Sequence, residues 1–469
     1  MSQLMPLSFD ALARSCVGLD VEVPILGGGR RRYVNLDTAA TTPALRQVQE
    51  AVNDFLPLYS SVHRGAGYKS LISTQVFDRC RQRVAEFVGA SLQRSTVIFG
   101  KNTTEMVNKL SRRLHLAEKD LVLLSDMEHH SNDLPWRMVP RTIRLPVDHR
   151  GALDLDQVED ELRRREGRVR LLAVSGASNV TGYQPPIHEL AVLAHRYGAK
   201  ILADCAQLAP HRKIDVRSPD DPAHLDFVVF SAHKMYAPYG IGALVGPRDF
   251  FDRSEPDEVG GGTVELVTSS RAYWAATPDR DEPGTPKLLG VVALGRAIAC
   301  LTEVGFDAIA THERDLTAYA LRRLAAVPGL ALYGDAEPVP REDRIGVIPF
   351  NLEGYNHSLL ATVLSCEGAI GVRSGCFCAH PFIQKLLELD DQGASDLASQ
   401  ILGRDRRALP GLVRMSFGVF STERDVDAAV DLLTQIAKEG PRGKYFYDAA
   451  SGEYRAEGHV VELDPSLGF

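Results

Sequence analysis

Residues 171–207 read LLAVSGASNVTGYQPPIHELAVLAHRYGAKILADCAQ. Leu171–Ser175 and Lys200–Ala203 are short apolar runs of strand length. Between them, IHELAVLAHRYG (187–198) places Leu190, Leu193 and Ala194 at helical spacing before the stop signal Gly198. Strand, helix and strand in that order make a β-α-β unit. Working outward, Asp226–Phe230 and Ile241–Val245 are further strand-like runs, and the same alternation extends from about residue 90 to 250. This is the pattern of an α/β protein whose mostly parallel sheet is covered by helices.

Beyond the Gly/Pro-rich stretch PDRDEPGTPKLLG (278–290), VVALGRAIACLTEVG begins a long helical pattern. Helices then mix with isolated strands at Ile345–Leu352 and Leu412–Phe417, which predicts a smaller α+β domain. The expected division is a large domain over 34–290 and a small one built from 1–33 and 291–469. Segment 389–411 (LDDQGASDLASQILGRDRRALPG) reads as an insertion, and 439–469 as a surface stretch.

The 469 residues are 44% hydrophobic and 24% charged, an ordinary globular composition. Fifty-three Lys and Arg against 61 Asp and Glu give a net charge of -8, so no global attraction to nucleic acid or an anionic membrane is expected. The arginine runs at 29–32 and 163–165 read as solvated faces. No apolar run reaches the ~18–20 residues of a membrane span, and the opening MSQLMPLSFDALARSCVGLD lacks the pattern of a secretory signal. Seven scattered cysteines without a CxxC suggest neither a disulfide framework nor a zinc ribbon, so a reducing cytoplasm is expected.

The chemistry gathers at strand ends. Lys234, in Ser231-Ala232-His233-Lys234, follows an apolar strand, where partial desolvation would free its amine to form an imine with an aldehyde. Taken alone, a strand-terminal lysine is usually just an exposed one. Asp204 closes the strand at 200–203, where ligands bind in open α/β sheets and a carboxylate can hold a ring nitrogen protonated. Its plain alternative is a helix N-cap. Thr103 and Thr104, opening a helix after Thr96–Phe99, could cradle a phosphate or simply cap. Met127-Glu-His-His-Ser-Asn132 offers an imidazole to stack on a planar ring.

Together these pieces resemble the class V aminotransferase-like enzymes that use pyridoxal 5'-phosphate (PLP), in the cysteine desulfurase and selenocysteine lyase branch. The resemblance covers roughly 34–425. It rests on LDTAATT (36–42), SVHRGAGY (61–68), NTTE (102–105), EHHSNDLPW (128–136), SNVTG (178–182), DCAQLAPH (204–211), SAHKMYAPYGIG (231–242), GGGTVELV (260–267), EPGTP (282–286) and VRSGCFCAHP (372–381). It implies the fold-type-I PLP transferase architecture, with a mostly parallel seven-stranded-type sheet.

The resemblance also implies roles. Lys234 would bind PLP as a Schiff base, Asp204 would pair with the pyridine nitrogen, Gln207 would bond the ring hydroxyl and His129 would stack on the ring. Thr103, Thr104, Ser231 and His233 would hold the phosphate. Gly262 and Thr285 would reach the phosphate of a neighbouring subunit, which implies a homodimer. Ala39, Asn179, Arg373 and Arg414 would lie at the substrate, with Arg414 pairing its carboxylate. Cys378 would be the nucleophile that takes sulfur from L-cysteine, leaving alanine and an enzyme persulfide for an acceptor protein or small molecule.

Two departures stand out. Where this branch usually reads Gly-His-His-Cys, the chain reads Gly375-Cys376-Phe377-Cys378, wording similar to the desulfurase domain of molybdenum-cofactor sulfurases. The long run to Arg414 is the second. The spacing of Cys376 and Cys378 does not choose between them; the match to Arg-x-Gly-x-x-Cys-Ala chooses Cys378. Two thiols without nearby partners are too few for a metal. Other reactions on the same scaffold stay open: epimerisation, C–S β-elimination, selenocysteine lysis or transamination.

Overall fold

In the computed structural model, residues 7–63, 65–139, 141–389, 409–449 and 452–464 are described, with 466 and 468. A seven-stranded sheet dominates. Its strands are β1 (Ser95–Gly100), β2 (Leu121–Ser125), β3 (Thr142–Leu145), β4 (Val169–Ser175), β5 (Lys200–Asp204), β6 (Phe227–Ser231) and β7 (Gly242–Pro247). The spatial order is β1-β7-β6-β5-β4-β2-β3. Strands β3, β2, β4, β5 and β6 pair in parallel, and β7 runs against both its neighbours. The strands read from the sequence are all present, with ends moved by one or two residues.

Alternate residues of these strands feed two cores, as the two-residue side-chain period requires. Leu123, Leu172, Val174, Ile201, Ala203, Val228 and Phe230 face one cluster. Val122, Leu124, Leu171, Ala173, Leu202 and Val229 face the other. Burial on both sides explains why the strands read as unbroken apolar runs rather than alternating ones. Helices α1 (Tyr68–Phe87), α3 (Ile187–Arg196) and α4 (Leu288–Val304) cover the first face, while α2 (Thr103–Arg113) covers the second.

A four-stranded antiparallel sheet follows: β8 (Leu330–Leu332), β9 (Val347–Leu352), β10 (Arg373–Gly375) and β11 (Leu412–Ser416), in the order β8-β9-β11-β10. Apolar residues of α5 (Phe306–Ala325), α6 (His357–Gly368) and α7 (Glu423–Glu439) close its core. A capping box between Thr422 and Asp425 starts α7.

The N-terminal segment divides its contacts. Leu12 and Cys16 are buried in the large cluster, whereas the hairpin over 22–32 leans on the second sheet's helices, with Leu26 N donating to Cys366 O and Arg32 bonded to Asp425. The terminal stretch, expected at the surface, forms a second hairpin, Tyr445–Asp448 with Glu453–Ala456. It buries Ala456, and Tyr445 Oη bonds Glu367 at 2.9 Å. Of the expected insertion, residues 390–408 lie outside the described ones. Among the described residues no single helix is long and apolar enough to cross a membrane; α4 and α5 would pass only as a pair, and they meet at a bend of 78°.

Candidate active site

Parallel strands deliver their C-terminal ends to one edge of the sheet, and a cavity of about 280 Å³ opens there. Strand β5 ends at Asp204, β6 at Ser231, and β1 leads through Gly100 to Asn102 and α2. The second sheet supplies the opposite wall through Arg373, Phe377, Cys378 and Arg414.

At the floor, a short helical turn over Ala232–Lys234 carries Lys234 into the cavity. Burial pushes its ammonium down to about 8, against the opposing pull of Asp204. Asp204 is buried, which raises its carboxyl, while Ala206 N donates to its Oδ1 at 3.0 Å. Burial also drives His129 down to about 3 and His233 to about 4, with the Lys234 charge adding to both. His129 is therefore a neutral imidazole, and its Nδ1 accepts from Ser131 N at 3.1 Å.

One end of the cavity is a cradle of hydroxyls at the N-terminus of α2. Thr103 N donates to Ser231 Oγ at 2.8 Å, Thr103 Oγ1 and Ser231 Oγ are 2.7 Å apart, and Thr104 Oγ1 lies 2.7 Å from Ser131 Oγ. Asn102 caps the helix by accepting from Glu105 N at 3.0 Å. The strand-to-helix junction lies so close to β7 that a Cβ on Gly242 would sit 2.7 Å from Asn102 Cα, so only glycine fits there. Amide dipoles and hydroxyls together form an anion site.

At the other end two guanidiniums share one carboxylate. Arg414 Nη2 donates to Asp37 Oδ1 at 3.1 Å, and Arg373 Nη2 forms an ion pair with Asp37 Oδ2 at 2.8 Å. Arg414 Nη1 also donates to Asn179 O at 2.9 Å, and its buried Nε has no hydrogen-bond partner among the described residues. Burial lowers this guanidinium to about 10 despite Asp37. A buried cation with a donor to spare is suited to an incoming carboxylate.

Cys378 lies exposed on the cavity wall. It follows Phe377 in a turn where both have left-handed backbone, with φ of 55° and 49°. Asn179 Nδ2 donates to Phe377 O at 2.7 Å, His130 N donates to Cys378 O at 2.7 Å, and the Arg414 guanidinium lies 4.8 Å from the Phe377 ring centroid. These contacts hold the strained turn against the large sheet's edge. Gln207 Nε2 donates to Ala39 O at 2.7 Å on the adjoining wall.

The structure thus gathers Ala39, Thr103, Thr104, His129, Asn179, Asp204, Gln207, Ser231, His233, Lys234, Arg373, Cys378 and Arg414 around one cavity. Gly262 and Thr285 are apart, lining a second hollow with Ser61, Val62 and His63. Sequence reasoning passed over Asp37, although it sits inside LDTAATT, and over Ser131 and Ser175, which also line the cavity or bond its residues. It also missed Glu128: Ser125, Asn132 and Ser175 donate to this fully buried carboxyl beside His129, and burial pushes it up to about 7.

The model of the aminotransferase class-V family matches residues 34–429. The chain belongs to that family. A probable cysteine desulfurase of Halalkalibacterium halodurans is 34% identical to this class-V protein over 404 residues, which cover 84% of this chain and 91% of the relative. A solved cysteine desulfurase of Thermococcus onnurineus is similar in structure with a TM-score of 0.75 and 29% identity, over 87% of this chain and 95% of that one. A cysteine desulfurase of Escherichia coli gives 0.70 and 29%, over 86% and 94%.

Proposed function

We propose that this class-V protein is a PLP-dependent cysteine desulfurase, converting L-cysteine to L-alanine and taking the sulfur on Cys378. One observation carries the reading: an exposed thiol and a lysine with a depressed pKa open into the same cavity. The residues fit PLP. The hydroxyl and amide cradle of Thr103, Thr104, Ser231 and His233 suits its phosphate, Asp204 its ring nitrogen, the second amide hydrogen of Gln207 its ring hydroxyl, and the neutral His129 its ring face. Lys234 is the residue that would hold it covalently.

When bound, PLP would draw electrons from the α-carbon of an amino acid and so ease loss of its proton. The chain's own groups do the rest. Arg414 and Arg373, both on the cavity wall, hold the substrate carboxylate, and Asn179 fixes the neighbouring turn. The Lys234 amine takes the α-proton, which its lowered pKa permits near neutral pH. Cys378 Sγ, having given up its proton, attacks the substrate sulfur; a new S–S bond forms, the Cβ–S bond breaks with its electron pair going to the substrate carbon skeleton, and Cβ takes up a proton in place of the one Cys378 lost, so the skeleton leaves as alanine.

The reading includes a homodimer in which Gly262 and Thr285 serve the other copy's cavity. It is supported by their distance from the Lys234 cavity and by a hairpin (Val264–Val267 with Ala272–Trp274) that exposes Leu266, Val267 and Tyr273. An exposed Cys378 suits hand-over to an acceptor protein or small thiol. A reducing cytoplasm is supported by all seven cysteines being free. The test is to incubate holoenzyme with L-cysteine and measure alanine, pyruvate and sulfide together. Alanine in step with enzyme-bound sulfur supports the reading, whereas pyruvate with free sulfide points to β-elimination and rejects it.

A further inference from the structure

The removal of sulfur from substrate, as assigned above, makes no use of the second thiol in the Gly375-Cys376-Phe377-Cys378 turn. Cys376 is half-buried and does not line the cavity, and its Sγ lies 3.0 Å from His380 Nε2. His380 Nδ1 in turn lies 3.0 Å from His130 Nε2, and the two rings are stacked at 4.9 Å between centroids with 5° between planes. The main-chain N–H of His380 converges on the same His130 nitrogen at 3.5 Å.

That convergence fixes where the protons sit. A ring nitrogen approached by a main-chain N–H presents its lone pair, so His130 Nε2 accepts and the proton between the rings belongs to His380 Nδ1. His380 Nε2 is then the lone pair that faces the Cys376 thiol. The donors run one way, from Cys376 Sγ–H to His380 Nε2 and from His380 Nδ1–H to His130 Nε2. Burial lowers both imidazoles and raises the Cys376 thiol, so at rest the three groups are neutral. The turn also brings the Cys378 main chain to the Cys376 sulfur: the Cys378 N–H faces Cys376 Sγ and opposes the effect of burial on that thiol, and Ala379 N closes the turn on Cys376 O at 2.8 Å.

We propose that Cys376 takes the outer sulfur from the Cys378 persulfide, with His380 accepting the Cys376 proton and His130 relaying it. The proposal rests on the desulfurase reading. Cys376 Sγ gives its proton to His380 Nε2, and His380 passes its Nδ1 proton to His130. The Cys376 thiolate attacks the terminal sulfur of Cys378–S–SH; the old S–S bond breaks, its electron pair leaves on Cys378 Sγ, and this exposed thiolate takes a proton from water to match the one His130 releases. Cys378–S–SH and Cys376–SH become Cys378–SH and Cys376–S–SH. The moving sulfur keeps its oxidation level, so no oxidant or reductant is needed. Sulfur parked on Cys376 lies beside the His380 relay rather than in the Lys234 cavity, and Cys378 is free for another substrate. An imidazole four residues downstream thus stands against the position where the related Gly-His-His-Cys wording has a histidine.

The test loads the holoenzyme with a small excess of L-cysteine, without added thiol, then alkylates it and maps the peptides by mass. Sulfane sulfur is expected on both Cys376 and Cys378 in the wild type, and on Cys378 alone in Cys376→Ser. In His380→Gln, which keeps the size but not the proton relay, Cys376 should fill about 100-fold more slowly. Wild-type sulfur confined to Cys378 overturns the proposal, as does a Cys376–Cys378 disulfide with release of sulfide. Sulfur on Cys376 in Cys378→Ser also overturns it, since Cys376 would then attack substrate directly. Sulfur on neither cysteine, with no alanine, rejects the desulfurase reading itself and is thereby distinguished from failure of the relay.

Discussion

Asn179 Nδ2 donates to the main-chain oxygen of Phe377 at 2.7 Å, so a residue from the loop after β4 holds the turn that carries Cys378. The bond crosses from the large sheet to the second one and is buried. Removing it would leave that carbonyl unsatisfied beside two residues with left-handed backbone. Asn179→Ala should lower alanine formation about 10- to 100-fold by misplacing Cys378, with a stability loss of about 1–2 kcal/mol. Steady-state assay and thermal unfolding check this; wild-type turnover would show that the turn does not depend on Asn179.

Burial of Lys234 gives a pH signature. Imine formation needs the neutral amine, and a group held at about 8 is roughly one-quarter neutral at pH 7.5, against about 0.1% for an ordinary lysine. The rate at which apo-protein captures PLP should therefore rise with pH and level off just above 8. Stopped-flow absorbance reads it directly. A rate still climbing tenfold per pH unit at pH 9.5 would mean that Lys234 is not depressed.

Gly242 offers a steric test of the anion cradle. A Cβ there would lie 2.7 Å from Asn102 backbone atoms and displace the N-terminus of α2. Gly242→Ala should weaken PLP binding more than about tenfold and destabilise the protein by about 1–3 kcal/mol. Fluorescence titration and thermal unfolding measure the two effects, and unaltered affinity would separate the cradle from this junction.

The architecture was legible where one-dimensional patterns carry it. Leu171–Ser175 and Lys200–Ala203 are covered on both sides, so their apolar runs are continuous, and the helix between them buries one face, so Leu190, Leu193 and Ala194 recur at helical spacing. Asp204 and Lys234 could be placed because a strand end is visible in sequence. What escaped depends on long-range contact. Asp37 meets Arg414 across 377 residues, and His130 meets His380 across 250, and neither pairing leaves a periodic trace. The tail over 439–469 reads as surface from its charge and glycine content. Its hairpin packs through Tyr445 and Ala456, too few apolar residues to mark a core segment.

Assembly can be probed through the exposed hairpin. Leu266 is 56% exposed in the single chain, and if this hairpin forms the proposed contact between copies, an aspartate there places an unpaired charge in it. Leu266→Asp should shift the sedimentation profile from dimer to monomer and reduce turnover along with it. A Leu266→Asp protein that sediments and turns over as the wild type does would remove this hairpin from the interface.

The most direct test of the account uses Cys378→Ser in a single turnover with L-cysteine, following alanine by rapid quench alongside the visible spectrum. The variant is expected to keep the PLP absorption of the wild type and its response to substrate, while alanine formation falls by at least about 100-fold and no sulfur is gained. Alanine appearing at the wild-type rate would contradict the claim that Cys378 takes the sulfur.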